Sequence, residues 1–250
     1  MIKVSLLKAE NISVSFEGEK IIEDISLSLS AGETVSLLGV SGAGKTTLFN
    51  VLSGLYMPDE GKVYLDSGDI TGKAGKISYM LQKDLLLPHK KVIDNAALPL
   101  VLKGINKKEA RKEAESHLKD FGLEGAENKY PHQLSGGMRQ RVAFLRTYLA
   151  SDKVALLDEP FSALDSITKS SLHRWFLSVM DEIKLSVIFV THDIDEAILL
   201  SDRIYLLTGK PGKITDEIVI DLPGKKTERN TMSKEFISYK QDIIKKIGII

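Results

Sequence analysis

One eight-residue segment constrains the fold of this chain more than any other. Residues 39–46 read Gly-Val-Ser-Gly-Ala-Gly-Lys-Thr and match the pattern G-x-x-x-x-G-K-[ST]. The apolar run Thr34–Leu38 precedes the segment, and a stretch of helical character, Lys45–Ser53, follows it. A strand, a glycine-rich turn and a helix in this order form a phosphate-binding loop, because glycines let successive backbone N–H groups approach phosphate oxygens. The segment therefore predicts a strand–loop–helix unit that binds phosphate groups.

The backbone and the side chains of this loop have different predicted roles. The ammonium of Lys45 is expected to contact the β- and γ-phosphates, and the hydroxyl of Thr46 to contact Mg²⁺. The helix that begins near Lys45 adds the positive end of its dipole. A dinucleotide-binding fingerprint does not fit, because its third glycine is absent. The predicted nucleotide-binding residues of the loop are Gly39, Val40, Ser41, Gly42, Ala43, Gly44, Lys45, Thr46 and Thr47.

Two adjacent carboxylates follow an apolar strand in the second half of the chain. Val154–Leu157 is followed by Asp158 and Glu159, and then by Pro160. In an open parallel sheet, the reacting groups lie at the carboxyl ends of the strands. We therefore expect Asp158 to hold Mg²⁺ through water and Glu159 to polarise an attacking water molecule. The alternative is a solvated strand end that Pro160 terminates, and the phosphate loop elsewhere in the chain favours the functional interpretation.

The remaining pattern predicts an α/β protein. Alternating apolar residues predict antiparallel strands over Asn11–Phe16 and Ile21–Leu29, and continuous apolar runs predict buried strands at Val187–Val190 and Ile204–Leu207. Strands that alternate with helices imply a mainly parallel sheet covered on both faces. Further strands are predicted at Val63–Leu65 and Ile77–Leu81, and helices at Met138–Ala150, Thr168–Glu182 and Ile194–Leu200.

The chain is predicted to contain one large domain and a short extension. Residues 1–221 are expected to form the α/β domain, with a charged helical lobe inserted at approximately residues 85–134. Within the lobe, apolar residues at helical spacing predict a helix over Lys107–Phe121. Residues 222–250 are expected to be a linker followed by a terminal helix over Ser233–Ile247.

Composition excludes several classes of protein. The 34 Lys and Arg residues balance 34 Asp and Glu residues, so the overall charge gives no case for a nucleic-acid partner. Cysteine is absent, which excludes disulfides, thiol catalysis and zinc–thiolate sites. The longest apolar run, Ala96–Leu102, contains Pro99 and is far shorter than the roughly 20 residues of a membrane helix. Met1–Ser5 begins no sustained apolar signal region, so we expect the chain to stay in the cytoplasm.

Four further motifs point to a known family. Leu134–Met138 reads Leu-Ser-Gly-Gly-Met and resembles the signature motif of ATP-binding-cassette (ABC) ATPases. Gln82, after a predicted strand, resembles the glutamine of the family's Q-loop, and Ser162–Asp165 (Ser-Ala-Leu-Asp) resembles its D-loop. His192 resembles its switch histidine. The motifs occur in the family's order and at similar spacing, so the resemblance covers the chain up to about Asp221.

This resemblance implies a fold and a reaction. The implied fold is the P-loop NTPase fold of the ABC-ATPase type, with a mainly parallel sheet, an antiparallel β-subdomain and an inserted helical subdomain. The implied reaction is the hydrolysis of ATP in the presence of Mg²⁺. The implied catalytic residues are Glu159, His192, Lys45 and Gln82, and the implied Mg²⁺ ligands are Thr46, Gln82 and Asp158.

The same resemblance implies a homodimer of ATPase subunits. Ser135, Gly136 and Gly137 would face the ATP bound by the opposite subunit, so that two chains arranged head to tail enclose two ATP molecules. A serine and exposed glycine amides at a helix N-terminus form an anion site, and the serine can cap that helix at the same time. Asp165 belongs to the D-loop in this resemblance, and its alternative role is to cap the helix that begins at Ser166.

Three residues keep a structural interpretation beside the functional one. The alternative for Gln82 is a polar residue that ends a strand, and the alternative for His192 is a structural role between two helix-capping residues. Phe16 lies near the position at which family members stack an aromatic ring on adenine. It also lies on the same alternating face as Ile12 and Val14, so packing in the core is equally compatible with its position.

The chain has no substrate pathway of its own, so it is expected to drive other proteins. The resemblance implies two transmembrane permease subunits and an extracytoplasmic solute-binding protein that acts through them, with no nucleic acid. Leu85–Pro88 and Asn95–Gly104 lie where transporter relatives receive a coupling helix, and packing inside the lobe is the alternative. The implied location is the cytoplasmic face of the cell membrane.

Three segments narrow the resemblance to the nitrate/sulfonate/taurine importer ATPases, namely Leu81–Pro88, Thr191–Ala197 and Gly209–Ile214. The same branch serves pyrimidine-type vitamin precursors, so the solute stays open. The alternatives are a soluble ABC-type ATPase not coupled to transport, and a kinase or GTPase. A GTPase needs Asn-Lys-x-Asp, and Asn106–Glu109 lacks the final aspartate; a kinase has no reason to carry Leu134–Met138.

Overall fold

The computed structural model describes residues 5–151, 153–162, 164–224 and 226–248. Within these residues the strands are β1 Ser5–Phe16, β2 Glu19–Ser30, β3 Thr34–Gly39, β4 Glu60–Leu65, β5 Gly68–Asp69, β6 Ser78–Met80, β7 Val154–Asp158, β8 Ser186–Thr191, β9 Arg203–Thr208 and β10 Lys213–Val219. The α-helices are α1 Lys45–Leu52, α2 Val92–Leu102, α3 Lys107–His117, α4 Gly136–Ala150, α5 Ser166–Ile183, α6 Ile194–Leu200 and α7 Lys234–Ile247. Short 3₁₀ helices span Pro131–Gln133 and Glu228–Met232.

Two sheets form the framework of the chain. The larger sheet has the strand order β10-β9-β3-β8-β7-β6; neighbouring strands from β9 to β6 are parallel, and β10 is antiparallel to β9. The smaller sheet is antiparallel, in the order β2-β1-β4-β5. The expected fold class, a mainly parallel sheet with an antiparallel subdomain and inserted helices, is confirmed.

Alternate residues of the parallel strands belong to two separate hydrophobic clusters. Leu157 and Phe189 lie in a cluster with apolar residues of α2 to α7, whereas Leu156 and Ile188 lie in a cluster with the smaller sheet and α1. Successive side chains of a strand point to opposite faces of the sheet, so each face carries its own core. The prediction of a sheet covered on both faces is therefore confirmed.

The helical lobe between β6 and β7 is fixed by polar contacts as well as apolar ones. Arg111 of α3 donates to both carboxylate oxygens of Asp94 on α2, at 2.9 and 2.8 Å. Asn95 is fully buried, and its amide oxygen accepts a hydrogen bond from the backbone N–H of Leu87 at 2.7 Å. The first contact joins α3 to α2. The second holds the segment before α2 against the lobe, because Leu87 lies in that segment.

The structure differs from the sequence expectations in several elements. Strand β1 begins at Ser5 rather than Asn11, and the two-residue strand β5 was not expected. The helix expected over Lys107–Phe121 ends at His117 and continues as turns, although Phe121 stays fully buried. Helix α2 was not expected, since it contains Pro99, a residue that usually ends a helix. Strand β10 was not expected either, because only Ile218 among its residues is buried and its sequence lacks apolar alternation.

The C-terminal segment packs on the α/β domain through α7. Phe236 and Ile243 of α7 are buried and belong to the same cluster as α6. Lys240 of α7 forms an ion pair with Asp195 of α6 at 2.7 Å. The terminal helix expected over Ser233–Ile247 is confirmed, with Ser233 as its N-cap. None of the helices in the described ranges has the length and apolar character that crossing a membrane requires.

Candidate functional site

The predicted phosphate loop connects β3 to α1, as expected. Gly44 is the N-cap of α1, has a positive φ of 90° and makes no side-chain capping bond. A Cβ atom at Gly44 would lie 2.4 Å from Cγ2 of Ile22, so only glycine fits at this position. The first N–H groups of a helix have no acceptor within the helix. The start of α1 therefore presents free donors to an anion, and its dipole adds positive potential.

Lys45 occupies a fixed position within the loop. Its Nζ donates to the carbonyl oxygens of Gly39 at 2.8 Å and of Val40 at 2.9 Å. Burial lowers the pKa of Lys45, and the charges of Glu159 and Asp158 act in the opposite direction. The ammonium is therefore oriented by two backbone acceptors and faces the two carboxylates that the sequence predicted.

The sheet brings the acidic pair to the phosphate loop. Strand β8 pairs with β3 on one side and with β7 on the other, with Leu38 opposite Thr191 and Asp158 opposite Val190. The carboxyl ends of the three strands therefore meet at one edge. A cavity of about 280 Å³ lies there, lined by Ile21, Ser41, Gly42, Gly44, Lys45, Thr46, Thr47, Asp158 and Glu159.

The two adjacent carboxylates have different surroundings. Asp158 is buried, and this burial together with the neighbouring charge of Glu159 raises its pKa. The hydroxyl of Tyr79 lies 3.4 Å from Oδ2 of Asp158, and the hydroxyl of Thr46 also bonds to this carboxylate. Glu159 has a positive φ of 43° and its N–H donates to the carbonyl of Val190, so its side chain leaves the strand in another direction.

Two of the predicted catalytic side chains, Gln82 and His192, contact the third, Glu159. Gln82 follows β6, and its Nε2 donates to Oε2 of Glu159 at 3.1 Å and to Oγ of Ser162 at 3.2 Å. His192 follows β8, and its Nδ1 lies 3.4 Å from Oε1 of Glu159. The imidazole is 60% exposed and does not line the cavity itself, but it contacts Glu159, which does. Side chains that follow the two strands on either side of β7 thus contact the carboxylate that follows β7.

The residues present fit a magnesium ion held together with phosphate groups. Mg²⁺ prefers oxygen ligands and usually keeps several waters, with one or two carboxylates and substrate phosphates completing its shell. Asp158 and the hydroxyl of Thr46 supply such oxygens, and the raised pKa of Asp158 indicates that its negative charge lacks sufficient cationic neighbours. Within the part of the chain that the structure describes, no group of three or more acidic, histidine or cysteine side chains forms a complete protein cage for a metal.

The signature residues lie apart from the phosphate loop of their own chain. Ser135 caps α4, accepting a hydrogen bond from the N–H of Met138 at 3.2 Å. Among the described residues that line the loop's cavity, none belongs to Ser135–Gly137. Gly136 instead lines a separate groove that also includes Gln82. The capping role is therefore present, and the contact of these residues with the nucleotide of a second subunit stays a prediction.

Asp165 caps α5 in the way that its alternative role predicts. Its Oδ1 accepts from the N–H of Thr168 at 3.0 Å and its Oδ2 from the hydroxyl of Thr168 at 2.6 Å. These bonds lower the pKa of Asp165. Of the D-loop motif, Ala163 lies outside the described residues. The capping bonds fix the orientation of Asp165 at the surface. Its role in the D-loop stays a prediction.

Phe16 does not pack in the core, which removes one of its two proposed roles. The ring is 46% exposed, whereas Ile12 and Val14 are buried. The register of β1 against β2 shifts between Val14 and Ser15, and such an irregularity changes the face to which the following side chains point. Phe16 instead makes an edge-on contact with the exposed ring of Tyr56, with centroids 5.7 Å apart. Tyr56 was not among the predicted site residues.

The turn between β9 and β10 is hydrogen-bonded to β2 and packs closely against the phosphate loop, a contact that the sequence did not reveal. The N–H of Gly212 donates to the carbonyl of Ile21 at 2.8 Å, and its carbonyl accepts from Glu23 at 3.0 Å. A Cβ atom at Gly212 would lie 2.0 Å from the carbonyl oxygen of Ala43. The Gly-Lys-Pro-Gly motif at residues 209–212 was a signal for a turn, but its contact with the loop depends on tertiary structure.

Two arginines of α4 hold the segment after Gln82. Nε of Arg139 lies 3.2 Å from Oδ2 of Asp84, and Arg146 donates to the carbonyl of Leu85 at 2.9 Å. The helix that begins with the signature is thereby bonded to the loop that carries Gln82. Arginines seven residues apart lie on one face of a helix, but the sequence alone did not identify their acceptors.

Comparisons with known proteins agree with this geometry. The family model described as "ABC transporter" matches residues 22–162. The formylaminopyrimidine import ATP-binding protein ThiZ of Halalkalibacterium halodurans is 43% identical over 95% of this chain and 94% of its own length. The taurine import ATP-binding protein TauB of Escherichia coli K12 is 34% identical over 97% of both chains.

Solved structures resemble the chain over most of its length. The dimeric ATP-binding cassette MJ0796, in a post-hydrolysis state bound to ADP and Pi, superposes with a TM-score of 0.72 and 31% identity, over 86% of this chain and 99% of its own. The cbiO1 protein of Clostridium perfringens, part of the ABC transporter complex cbiONQ, superposes with a TM-score of 0.78 and 25% identity, over 98% of this chain and 95% of its own. The chain therefore belongs to the ABC transporter family and carries its ATPase domain.

Proposed function

We propose that this chain is the ATP-hydrolysing subunit of an importer for a small solute. The observation that supports ATP hydrolysis most directly is the position of Gln82 and His192 around Glu159, beside a phosphate loop. A carboxylate that accepts a hydrogen bond from an amide on one side and lies beside an imidazole on the other is suited to orient a water molecule. The relatives ThiZ and TauB, whose names state import, support the transport part of the proposal.

The proposed chemistry distributes roles among the residues at the sheet edge. Thr46, Asp158 and Gln82 would hold Mg²⁺, which would neutralise charge on the β- and γ-phosphate oxygens. The ammonium of Lys45 binds the same phosphate oxygens. Glu159 orients the attacking water and accepts its proton, and His192 contacts the γ-phosphate. Phosphoryl transfer depends mainly on such positioning and charge stabilisation.

The proposed assembly is a head-to-tail homodimer. Each chain has one phosphate loop and one signature, and the two are separate within a chain. Ser135, Gly136 and Gly137 would complete the phosphate site of the opposite subunit, with Asp165 at the same interface. ATP then favours the closed pair, and loss of the γ-phosphate allows the pair to open.

The proposed partners are two transmembrane permease subunits and an extracytoplasmic solute-binding protein that acts through them. Leu85 and Leu102 are 54% and 78% exposed, whereas Leu86 and Leu100 are buried. The first pair is therefore available to a membrane subunit, and the second pair packs inside the lobe. The subunit would lie at the cytoplasmic face of the membrane, and the solute would be a sulfonate-like compound or a pyrimidine-type vitamin precursor.

Replacing Glu159 with glutamine tests the proposed reaction. Glu159→Gln should retain ATP binding, because the loop is unchanged, and lose at least about a hundredfold in turnover, since its general base is absent. Gel filtration with ATP and Mg²⁺ should then detect a stable dimer. The matched control is Glu10→Gln, which changes a surface carboxylate paired with Lys8. Wild-type turnover in Glu159→Gln would contradict the assignment.

Purification from membranes tests the proposed partners. The tagged chain should co-purify with hydrophobic subunits, and ATPase activity should rise when the solute-binding protein and its solute are added. Recovery of the chain in soluble form alone, with no hydrophobic partner, would contradict the importer and favour an ATPase that is not coupled to transport.

A further inference from the structure

Glu196 is a buried carboxylate that was not among the site residues predicted from the sequence and has no role in the proposed mechanism. It lies on α6 four residues after His192 and is 4% exposed. Its Oε2 accepts a hydrogen bond from the hydroxyl of Thr191 at 2.7 Å. Its Oε1 lies 2.8 Å from Nζ of Lys169 and 3.5 Å from Nε2 of His173. Thr191 precedes the proposed catalytic residue His192, and Lys169 and His173 lie in α5, the helix that follows the D-loop.

On one side, the contacts of Glu196 reach the helix that begins at the D-loop. Lys169 is in the first turn of α5, and its N–H donates to the carbonyl of Asp165 at 2.8 Å. His173 lies one turn further along, and its ring packs edge-on against Phe161 with centroids 4.8 Å apart. Phe161 lies between Glu159 and Asp165 in the chain. This side of the cluster therefore contacts the segment that links the two proposed functional residues.

On the other side, the contacts of Glu196 fix both neighbours of His192. The hydroxyl of Thr191 bonds to Glu196 and accepts from the N–H of Asp193 at 3.0 Å. Asp193 caps α6, and its Oδ2 lies 3.4 Å from Nζ of Lys169. The backbone on each side of the imidazole is therefore held by the same group of charges.

The carboxylate of Glu196 is ionised in the folded protein. Burial by itself raises its pKa, but the contacts with His173, Lys169 and Thr191 outweigh burial and lower the pKa to about 2. Replacing a whole buried ion pair by apolar packing is often neutral for stability, whereas removing one partner is costly, and the best-attested use of such a pair is to fix the relative position of two elements. The two elements here are α5 and α6.

We propose that Glu196 is a positioning residue that couples the D-loop helix α5 to the loop carrying His192, so that Asp165 and His192 reach the hydrolysing arrangement together. This inference rests on the roles proposed above for His192 and Asp165. Glu196 does not contact the cavity at the phosphate loop, so ATP binding by the loop itself does not depend on it.

Two variants and a control test this coupling. Glu196→Gln keeps the shape and the acceptor for Thr191 but removes the charge, and Lys169→Met removes the ammonium and keeps the aliphatic stem. Each should lower kcat at least tenfold and change KM for ATP less than twofold. The control, Lys240→Met, removes the neighbouring ion pair with Asp195 on the same helix, and should leave kcat within twofold of wild type.

The position of His192 gives a second measurement. The chain has five histidines, so ring ¹H–¹³C correlations can be assigned with His192→Ala. Lys169→Met should shift the His192 ring signals, and Lys240→Met should not. In a His192→Ala background, adding Lys169→Met should change the residual turnover by less than twofold, because the imidazole that Lys169 helps to position is already absent.

Several results would overturn the proposal. Unchanged kcat in both folded variants would do so, as would a fall in kcat that is matched by a rise in KM, since that pattern indicates general loosening of the site. If Glu196→Gln does not fold, Lys169→Met alone tests the proposal. Lys169 is more exposed than Glu196, and its substitution leaves Glu196 in contact with Thr191 and His173. Failure of the proposed ATPase function would appear differently, as undisturbed turnover in Glu159→Gln.

Discussion

At the residue scale, burial has opposite effects on the two kinds of charge in the cavity. Burial lowers the pKa of Lys45 and raises the pKa of Asp158, so each charge is disfavoured by its own surroundings. The charges of Glu159 and Asp158 partly restore the ammonium, and that of Lys45 acts on Asp158 in the same sense. A ligand that brings both phosphate oxygens and a divalent cation satisfies both groups at once.

Phe16 offers a test of adenine contact at this scale. Because the ring is 46% exposed, Phe16→Ala should leave Tm nearly unchanged. Loss of base stacking should weaken ATP binding by about 1–3 kcal/mol, or roughly five- to a hundredfold in Kd. Calorimetric titration with ATP would measure this change, with Met57→Ala as the control at another exposed apolar side chain. Wild-type affinity in Phe16→Ala would assign the ring to its contact with Tyr56 alone.

The sequence predicted the residues of the site better than it predicted the residues that contact and position them. Lys45 and Glu159 lie in local patterns whose chemistry is readable without a structure. Tyr56 and Glu196 lie in no such pattern, because their partners are set by tertiary contacts with Phe16 and Lys169. Phe16 itself could not be decided, since the irregularity in β1 that turns it outward has no sequence signal.

At the element scale, helix N-termini place several of the proposed functional groups. Ser135, Asp165 and Asp193 each cap a helix through a side-chain oxygen. A cap requires a non-helical backbone just before the first turn, and so it places the preceding loop at the surface. Capping and ligand contact are therefore compatible, and a variant can separate them.

Ser135→Asp separates the two roles of the signature serine. Aspartate caps a helix about as well as serine, so the free energy of unfolding should change by less than about 0.5 kcal/mol. The added negative charge would face the phosphates of the opposite subunit, and the ATP-dependent dimer should be lost. Ser135→Ala is the complementary control and should cost about 1 kcal/mol of stability through the lost cap. An intact ATP-dependent dimer in Ser135→Asp would assign the serine to capping alone.

Gly212→Ala tests the support that the β9–β10 turn gives to the phosphate loop. The new methyl group would meet the carbonyl of Ala43, so the loop must shift. Since displacements near 1 Å can cost about a hundredfold in rate, we expect turnover to fall roughly ten- to a hundredfold, together with weaker ATP binding. Gly68→Ala is the control, because its nearest contact is 3.3 Å away at another turn. Equal turnover and ATP affinity in Gly212→Ala and wild type would show that the loop does not rely on the turn.

Elements with strong local patterns were predicted, and those that depend on neighbours were not. Helices α1 and α4 and strands β7 and β8 follow from apolar runs and caps within about two residues. Strand β10 carries charges at Lys213, Asp216 and Glu217 and forms by pairing with β9. Helix α2 contains Pro99, and contacts with α3 and α4 stabilise it in spite of the missing hydrogen bond.

At the scale of the whole molecule, the larger sheet separates two cores. One core joins the helical lobe to α5, α6 and α7, and the other joins α1 to the smaller sheet. The alternation of strands and helices in the sequence was sufficient to predict this layered arrangement. The order of the strands was not predictable, because it depends on which strands pair across long stretches of chain.

The acid stability of the domain should depend on Glu196. Its pKa is about 2 in the fold against an ordinary value of 4.5, so it stabilises the fold above pH 4.5 and this contribution is lost as the pH falls from 4.5 through 2. The contribution should be on the order of 3 kcal/mol. Urea unfolding of wild type and Glu196→Gln at pH 7 and pH 3 would measure it. The difference between the two proteins should shrink at pH 3, and an equal difference at both values would refute the linkage.

The position of β8 between β3 and β7 has a consequence for how the protein is made. The phosphate loop after β3 and the acidic pair after β7 share no strand pairing, because each pairs with β8 instead. On the ribosome, β8 emerges after both of them. Until Ser186–Thr191 has been synthesised, a growing chain lacks the strand that joins the phosphate loop to Glu159 within the sheet, so we expect the complete site to form only after β8 has emerged.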